Sequence, residues 1–215
     1  MSKNGIKKGL LAVVSGFSGS GKSTITRKLI ETYPEYALSI SATTRTPRAG
    51  EQEGVDYFFK SDDEFAEMVE KDAFLEFAYY VDHGYGTPAE FVELQRDKGK
   101  DVLLEIEIQG ALKVKARCPD AVLVFVTPPS AEELVRRLTA RGTETDEVIR
   151  SRLRRAVEES SGMNLYDYIL VNDDLEESVE RLHRLLSAQH MQTNLQIDLI
   201  ENMQKELAER EETKL

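Results

Sequence analysis

A single cysteine, Cys118, stands among the 215 residues, which excludes an internal disulfide and suits a reducing cytoplasm. Beside Pro119 it reads as a structural thiol at a helix end. No apolar stretch approaches the roughly 20 residues that cross a bilayer, so no membrane partner is expected. The start, MSKNGIKKG, is basic but leads into an apolar run of only strand length, so no secretory signal is expected. His83, His183 and His190 are the only histidines, and no nucleophile–histidine pattern suggests covalent catalysis. Tandem repeats and low-complexity linkers are missing too. Positive charge is scarce overall: 28 Lys and Arg against 39 Asp and Glu, a net charge of −11, which argues against nonspecific nucleic-acid binding. A nucleotide ligand stays open, because the local field at a site outweighs the total. One segment runs against the trend, with seven arginines between Arg136 and Arg155 against Glu144, Asp146 and Glu147. That run is either a solvated helix face or a binding element.

What is present is the material of one compact domain with inserted pieces, with 40% apolar residues. Apolar β-branched runs alternate with helical patterns, which predicts an α/β fold with a mainly parallel central sheet. Core strands are expected at 10–14, 36–41, 102–106, 122–126 and 168–171, and helices at 22–32, 88–98, 131–140, 147–159 and 175–188. VLLEIEI and AVLVFV are nearly continuous apolar runs, as strands covered on both faces require. Ser61, Thr87 and Ser130 each open a capping-box pattern, and Pro88 suits a first helical position. Residues 42–87 differ in texture: DYFFK and EFAYYVDHGYG read as short antiparallel strands around a small helix, 62–70, forming an inserted subdomain.

The segment GFSGSGKST follows the first strand and opens a helix. Gly16, Gly21, Lys22 and Ser23 fit G-x-x-x-x-G-K-[ST], and the strand–loop–helix context is what this motif needs. Glycines let the backbone wrap a phosphate with its N–H groups inward, and the helix N-terminus adds partial positive charge there. Lys22 can neutralise β and γ oxygens and Ser23 can hold Mg²⁺. The loop reads as a nucleoside triphosphate site. Further on, Arg45 and Arg48 lie three residues apart with Tyr57 following. Two guanidinium groups and a phenol are either polar surface or a clamp for a second phosphate ester.

GFSGSGKST, SATTRTPRAGE, DYFF, FLEFAYY, YGTP, RGTET and VND together make the chain resemble the guanylate kinase family, over residues 9–188. The resemblance implies a three-layer P-loop NTPase sandwich that carries the ATP γ-phosphoryl group onto GMP, with Mg²⁺, in the cytoplasm. It implies a core (9–41, 88–136 and 158–188), a small α/β GMP-binding subdomain at 42–87 and a helical lid at 137–157. ATP would meet Gly16, Phe17, Ser18, Gly19, Ser20, Gly21, Lys22, Ser23 and Thr24, the lid arginines Arg137 and Arg141, and Asn172 and Asp173 near adenine. GMP would meet Ser41, Arg45, Arg48, Tyr57, Glu76, Tyr85, Thr87, Glu107, Arg152 and Arg155. Lys22, Arg45, Arg137, Arg141 and Arg152 would carry the catalysis, and Ser23 and Glu105 would serve the metal, Glu105 through water. A catalytically inactive protein-binding module of the same family is the alternative.

The guanine assignments also follow from chemistry if these side chains meet in one pocket. The Watson–Crick edge of guanine offers N1–H and N2–H₂ as donors, which one carboxylate such as Glu76 can accept, and O6 as an acceptor for Ser41 or Thr87. Adenine would leave those groups unpaired, at a cost in discrimination of about 10⁴-fold. One position departs from the resemblance: the family pattern leads to Asp at 107, and this chain has Glu. After Ala188, the residues Leu195, Leu199, Met203 and Leu207 recur every four positions beside Ile200. The tail, 189–215, is therefore expected to be helical with one apolar face, packed on the core or pairing with a second copy.

Overall fold

The computed structural model describes residues 7–140 and 145–212. In chain order it begins β1 (Leu11–Gly16), α1 (Lys22–Thr32), β2 (Tyr36–Leu38), β3 (Ala42–Thr43), β4 (Phe58–Phe59) and α2 (Asp62–Glu70). It continues with β5 (Phe74–Tyr80), β6 (His83–Pro88), α3 (Ala89–Asp97), β7 (Asp101–Leu104), α4 (Ile108–Arg117) and β8 (Val122–Thr127). The last elements are α5 (Ala131–Thr139), α6 (Asp146–Ser160), β9 (Tyr168–Val171), α7 (Leu175–Gln189) and α8 (Ile197–Glu212).

Strands β2-β7-β1-β8-β9 form a parallel sheet in that order. Period-two alternation explains why both faces are apolar. Leu11 and Val13 point to one side with Val102, Leu104, Leu123 and Phe125, where Val92 of α3, Val114 of α4 and Leu138 of α5 close the layer. Ala12 and Val14 point to the other, against Ile25 and Leu29 of α1 and Leu182 and Leu186 of α7. Three layers result. Strand β1 lies between neighbours reached in opposite directions, so its carboxyl end opens on the crevice where such sheets bind ligands.

A second sheet, β4-β3-β6-β5, stands beyond that carboxyl edge, its small core built on Ala42, Phe65 and Phe74. Strands β5 and β6 are an antiparallel hairpin, as expected, but β3 and β4 pair in parallel. The strand expected at 36–41 is split: β2 ends at Leu38, and the chain crosses to the second sheet before Ala42. The capping box at Ser61 is present. At Ser130 only the Ser-to-Glu133 half forms, because the Glu133 carboxylate binds Arg136 and Arg137. Thr87 caps nothing. It lies inside β6 and donates to Glu76, while Pro88 stands at the N-cap of α3. Helix α4 carried no recognisable start signal, since Glu107 precedes it without a side-chain cap and only Glu105, Ile106 and Glu107 separate it from β7.

The β5–β6 turn places Val81 and Asp82 at φ of 48° and 64°. That is the two-residue hairpin geometry that favours Asn-Gly, and a β-branched residue there is strained by about 1–2 kcal/mol. Val81→Asn should raise Tm by about 2–4 °C in a thermal melt; an unchanged or lower Tm would show that the turn carries no such strain.

The tail is helical, and among the described residues α8 leaves most of its apolar stripe open rather than packed on the core. Leu199, Met203 and Leu207 of α8 are 59%, 51% and 58% exposed. The measurement for the remaining expectation, pairing with a second copy, is the mass of the intact protein in solution. No helix among the described residues is long and apolar enough to cross a membrane.

Candidate active site

The loop between β1 and α1 is held in shape by groups far away in sequence. Gly21 caps α1 at φ 89°, and a Cβ there would fall 2.3 Å from Asn172 Nδ2. The Asn172 carboxamide donates to the Ser20 carbonyl at 2.7 Å and accepts from Ser178 at 3.2 Å. Arg137 donates to the same Ser20 carbonyl at 3.3 Å and to the Asn172 carbonyl at 2.8 Å. Asn172 and Arg137 therefore brace the loop backbone, whereas Asp173 is exposed and paired with Arg181. The Phe17 ring packs edge-on against Phe125 in the core, so its contribution to the loop is its backbone. Ser18 accepts from Arg152 at 3.1 Å, which brings α6 onto the loop. Lys22 lines a cavity of about 510 Å³ with Gly16, Ser18, Arg152, Arg155 and Glu159. Arg141 lies outside the described residues.

Ser23 donates to Glu105 Oε2 at 2.6 Å, and the Thr26 hydroxyl approaches the other oxygen of that carboxylate. Hydroxyl and carboxylate oxygens are the hard donors that suit Mg²⁺. Among the described residues no cluster of three or more His, Cys, Asp or Glu side chains could hold an ion alone. This donor pair fits an ion whose remaining ligands are phosphate oxygens and water.

Across the crevice, Ser41, Tyr57, Glu76, Tyr85, Glu105 and Glu107 line a second cavity of about 340 Å³. Glu76 of β5 faces Thr87 of β6 in register, and the Thr87 hydroxyl donates to it at 2.7 Å. Burial pushes the Glu76 carboxyl above its usual range, and the Thr87 hydrogen bond only partly offsets this. Arg45 is clamped by Glu51 through two hydrogen bonds of 3.0 and 2.9 Å, and its guanidinium lies 5.3 Å from the centre of the Tyr57 ring. Glu51 also accepts from the Arg48 backbone at 2.7 Å. The Arg45 pair, followed by the Arg48 backbone, holds the Glu51 carboxyl below its usual range. The Tyr57 and Tyr85 rings lie 6.2 Å apart, edge to face. Arg48 is exposed at the rim.

Two residues that shape this crevice were missed in the sequence. Glu51 lies three positions after Arg48 in a polar loop, a spacing that signals a turn contact, but nothing local showed that it also holds the Arg45 guanidinium. Gly110 lets Glu76 approach α4, since a Cβ there would stand 2.9 Å from Glu76 Oε2. Glu107 shares the cavity with Glu76 but does not bind it. It pairs with Arg155 of α6, which also donates to Glu159 at 3.2 Å.

A parallel three-layer sheet, a glycine-rich loop at the carboxyl end of its central strand, and a lysine at the following helix N-terminus define a P-loop nucleotide-binding fold. The profile of the guanylate kinase family matches residues 8–189. The chain is 50% identical over 200 residues to a guanylate kinase of Caldanaerobacter subterraneus subsp. tengcongensis, covering 93% of this chain and 97% of that protein. With a guanylate kinase of Lactococcus lactis subsp. lactis the identity is 48%, over 89% and 94% of the two chains. The crystal structure of guanylate kinase from Anaplasma phagocytophilum superposes with a TM-score of 0.68 at 36% identity, over 87% of this chain and 89% of that one. This chain belongs to the guanylate kinase family.

Proposed function

We infer that the chain transfers the γ-phosphoryl group of ATP directly to GMP, and to dGMP through the same base edge, giving ADP and GDP. The observation that carries this is one crevice with two unlike walls. On one wall Lys22 stands at a helix N-terminus. On the other, the Glu76 carboxylate is held by Thr87 beside a guanidinium already oriented by Glu51. Phosphoryl transfer asks for positioning and charge neutralisation more than covalent chemistry, and among the described residues no histidine lines either cavity to activate a hydroxyl. In this reading the loop N–H groups and Lys22 hold the donor phosphates, while Arg137 acts by bracing the loop as well as by charge. Ser23 and Glu105 would hold Mg²⁺, Glu105 through water, and the ion would supply neutralisation of phosphate charge. Arg45, Arg48, Tyr57 and Tyr85 fix the acceptor phosphate, and Glu76, Ser41 and Thr87 read guanine. Arg152 and Arg141 are the charges for the transferring group, with Arg152 already on the loop at Ser18.

The segments 42–87 and 137–157 are the acceptor subdomain and the lid of this reading, and the lone cysteine accords with a cytoplasmic setting. Nothing favours an inactive binding module, which would have no need of Lys22, Ser23, Arg45 and Arg152 together. The test is ADP release from Mg²⁺-ATP with GMP, dGMP, IMP, AMP, CMP or UMP as acceptor, against a control without acceptor. Turnover confined to GMP and dGMP is expected. Turnover on AMP or a pyrimidine would overturn the acceptor reading, and no turnover at all would bring back the binding module.

Gly110 supplies a separate check. Gly110→Ala should leave the fold intact, since the atom a Cβ would crowd is the end of the Glu76 side chain and not backbone. It should push the Glu76 carboxylate aside and raise KM for GMP by about 10- to 100-fold, with KM for ATP little changed. Equal rises in both would place the damage elsewhere.

A further inference from the structure

Glu107 is the side chain through which the two halves of the crevice touch. It lines the acceptor cavity with Glu76 and Tyr85, and it lines the donor cavity with Lys22, Arg152 and Arg155. Its partner Arg155 belongs to α6, the helix whose Arg152 rests on the phosphate loop. Arg155 is held on a second side by Glu159, one turn along the same helix. Glu159 in turn faces the donor cavity near Lys22. Two carboxylates thus occupy the surroundings of a lid cation in the crevice where phosphate oxygens would otherwise neutralise it.

We propose that Glu107 is a positioning residue that latches the lid: it restrains Arg155 from the acceptor side until a guanine base takes over the carboxylate and frees Arg155 for phosphate. The proposal rests on the ATP:GMP reading and deepens it, because it makes acceptor binding the event that arms the donor side. Side-chain length is what permits it. An aspartate at 107 would fall short of Arg155 by about 1.5 Å, one C–C bond, enough to lose the direct hydrogen bond and weaken the ion pair. The strength is also suitable. The Glu107 and Arg155 side chains are 68% and 40% exposed, so the pair is of the weak, readily exchanged kind. A stronger bond would hold the lid against its substrate. Glu159 stays with Arg155 in either state and keeps the guanidinium within reach of the donor cavity.

The experiment is a calorimetric titration of the Mg²⁺ complex of β,γ-imido-ATP, without GMP and with saturating GMP. It compares the wild type, Glu107→Asp, Glu107→Gln, Arg155→Ala and the Glu107→Asp/Arg155→Ala double variant. In the wild type, GMP should tighten binding of the analogue. In Glu107→Asp and Glu107→Gln the GMP-free affinity should rise by about 3- to 5-fold, as expected for release of an exposed pair. The affinity with GMP present should stay at the wild-type value, so the coupling shrinks. On the Arg155→Ala background the change at 107 should do nothing. GMP-free affinities equal to wild type in both single variants, or the same rise with Arg155 absent, would overturn the latch. A merely structural role would move Tm and leave this coupling unchanged. Turnover of GMP by the wild type is scored separately, so failure of the activity reading shows there. The GMP-free arm needs no acceptor and reports on the latch alone.

Discussion

Glu76→Gln should lower kcat/KM for GMP by about 10²- to 10⁴-fold and leave the fold at least as stable as before. The loss follows from the base edge. A carboxylate accepts from N1–H and N2–H₂ of guanine at once, and a hydrogen bond to a charged group is worth about 1.5–3 kcal/mol. A glutamine keeps one acceptor and turns an N–H donor toward a guanine donor. The carboxamide N–H can instead donate to N1 of adenine, so the GMP-to-AMP preference should shrink along with the rate. Stability moves the other way because burial raises the Glu76 pKa. Between its unfolded and folded pKa values the native state binds more protons than the unfolded chain, so stability falls as pH rises through that window. Glutamine carries no charge to bury and still accepts from Thr87. Thermal melts from mildly acidic to neutral pH, beside kinetics with both acceptors, check the two halves. Intact GMP specificity would remove Glu76 from the base pocket.

Lys22→Ala should lower kcat by about 10²- to 10³-fold or more, the scale for losing one preorganised donor to developing charge. Lys22 is the first residue of α1, so its ammonium adds to the partial positive charge of the helix end. Arg152 and Arg155 share its cavity but come from the lid, and Glu107 and Glu159 already engage Arg155. They are poor substitutes. GMP affinity, measured by calorimetry without ATP, should be unchanged, since Glu76, Thr87, Arg45 and Glu51 lie on the second sheet and its loops. A variant within tenfold of wild-type kcat would show that the loop backbone alone carries the phosphate charge. Lost GMP affinity would point instead to a collapsed crevice.

Much of the core was legible because its signals are local. The run at β1, the glycine-rich loop and the start of α1 are contiguous in sequence, and each constrains the next through backbone geometry. Strands β8 and β9 and helices α5, α6 and α7 announced themselves by apolar period. Helix α4 did not, because it starts without a side-chain cap three residues after an apolar strand. Thr87 looked like a cap, and in isolation its hydroxyl would serve as one. Cross-strand register gave it a better partner in Glu76.

The sequence by itself determined the parts whose chemistry is written in consecutive residues: a phosphate loop, an arginine pair, a lone unpaired thiol, a parallel α/β core. Only the tertiary structure decided which distant groups meet. Asn172 and Arg137 brace the loop from more than a hundred residues away, Gly110 makes room for Glu76, and Glu107 turns to Arg155. It also left the apolar stripe of α8 open, where periodicity alone allowed packing on the core. The physical reason is the range of the forces. Backbone propensity and loop geometry act over a few residues and can be read in order along the chain. Hydrogen-bond partners and ion pairs are chosen by proximity in space, and many candidates compete until the fold brings one within reach.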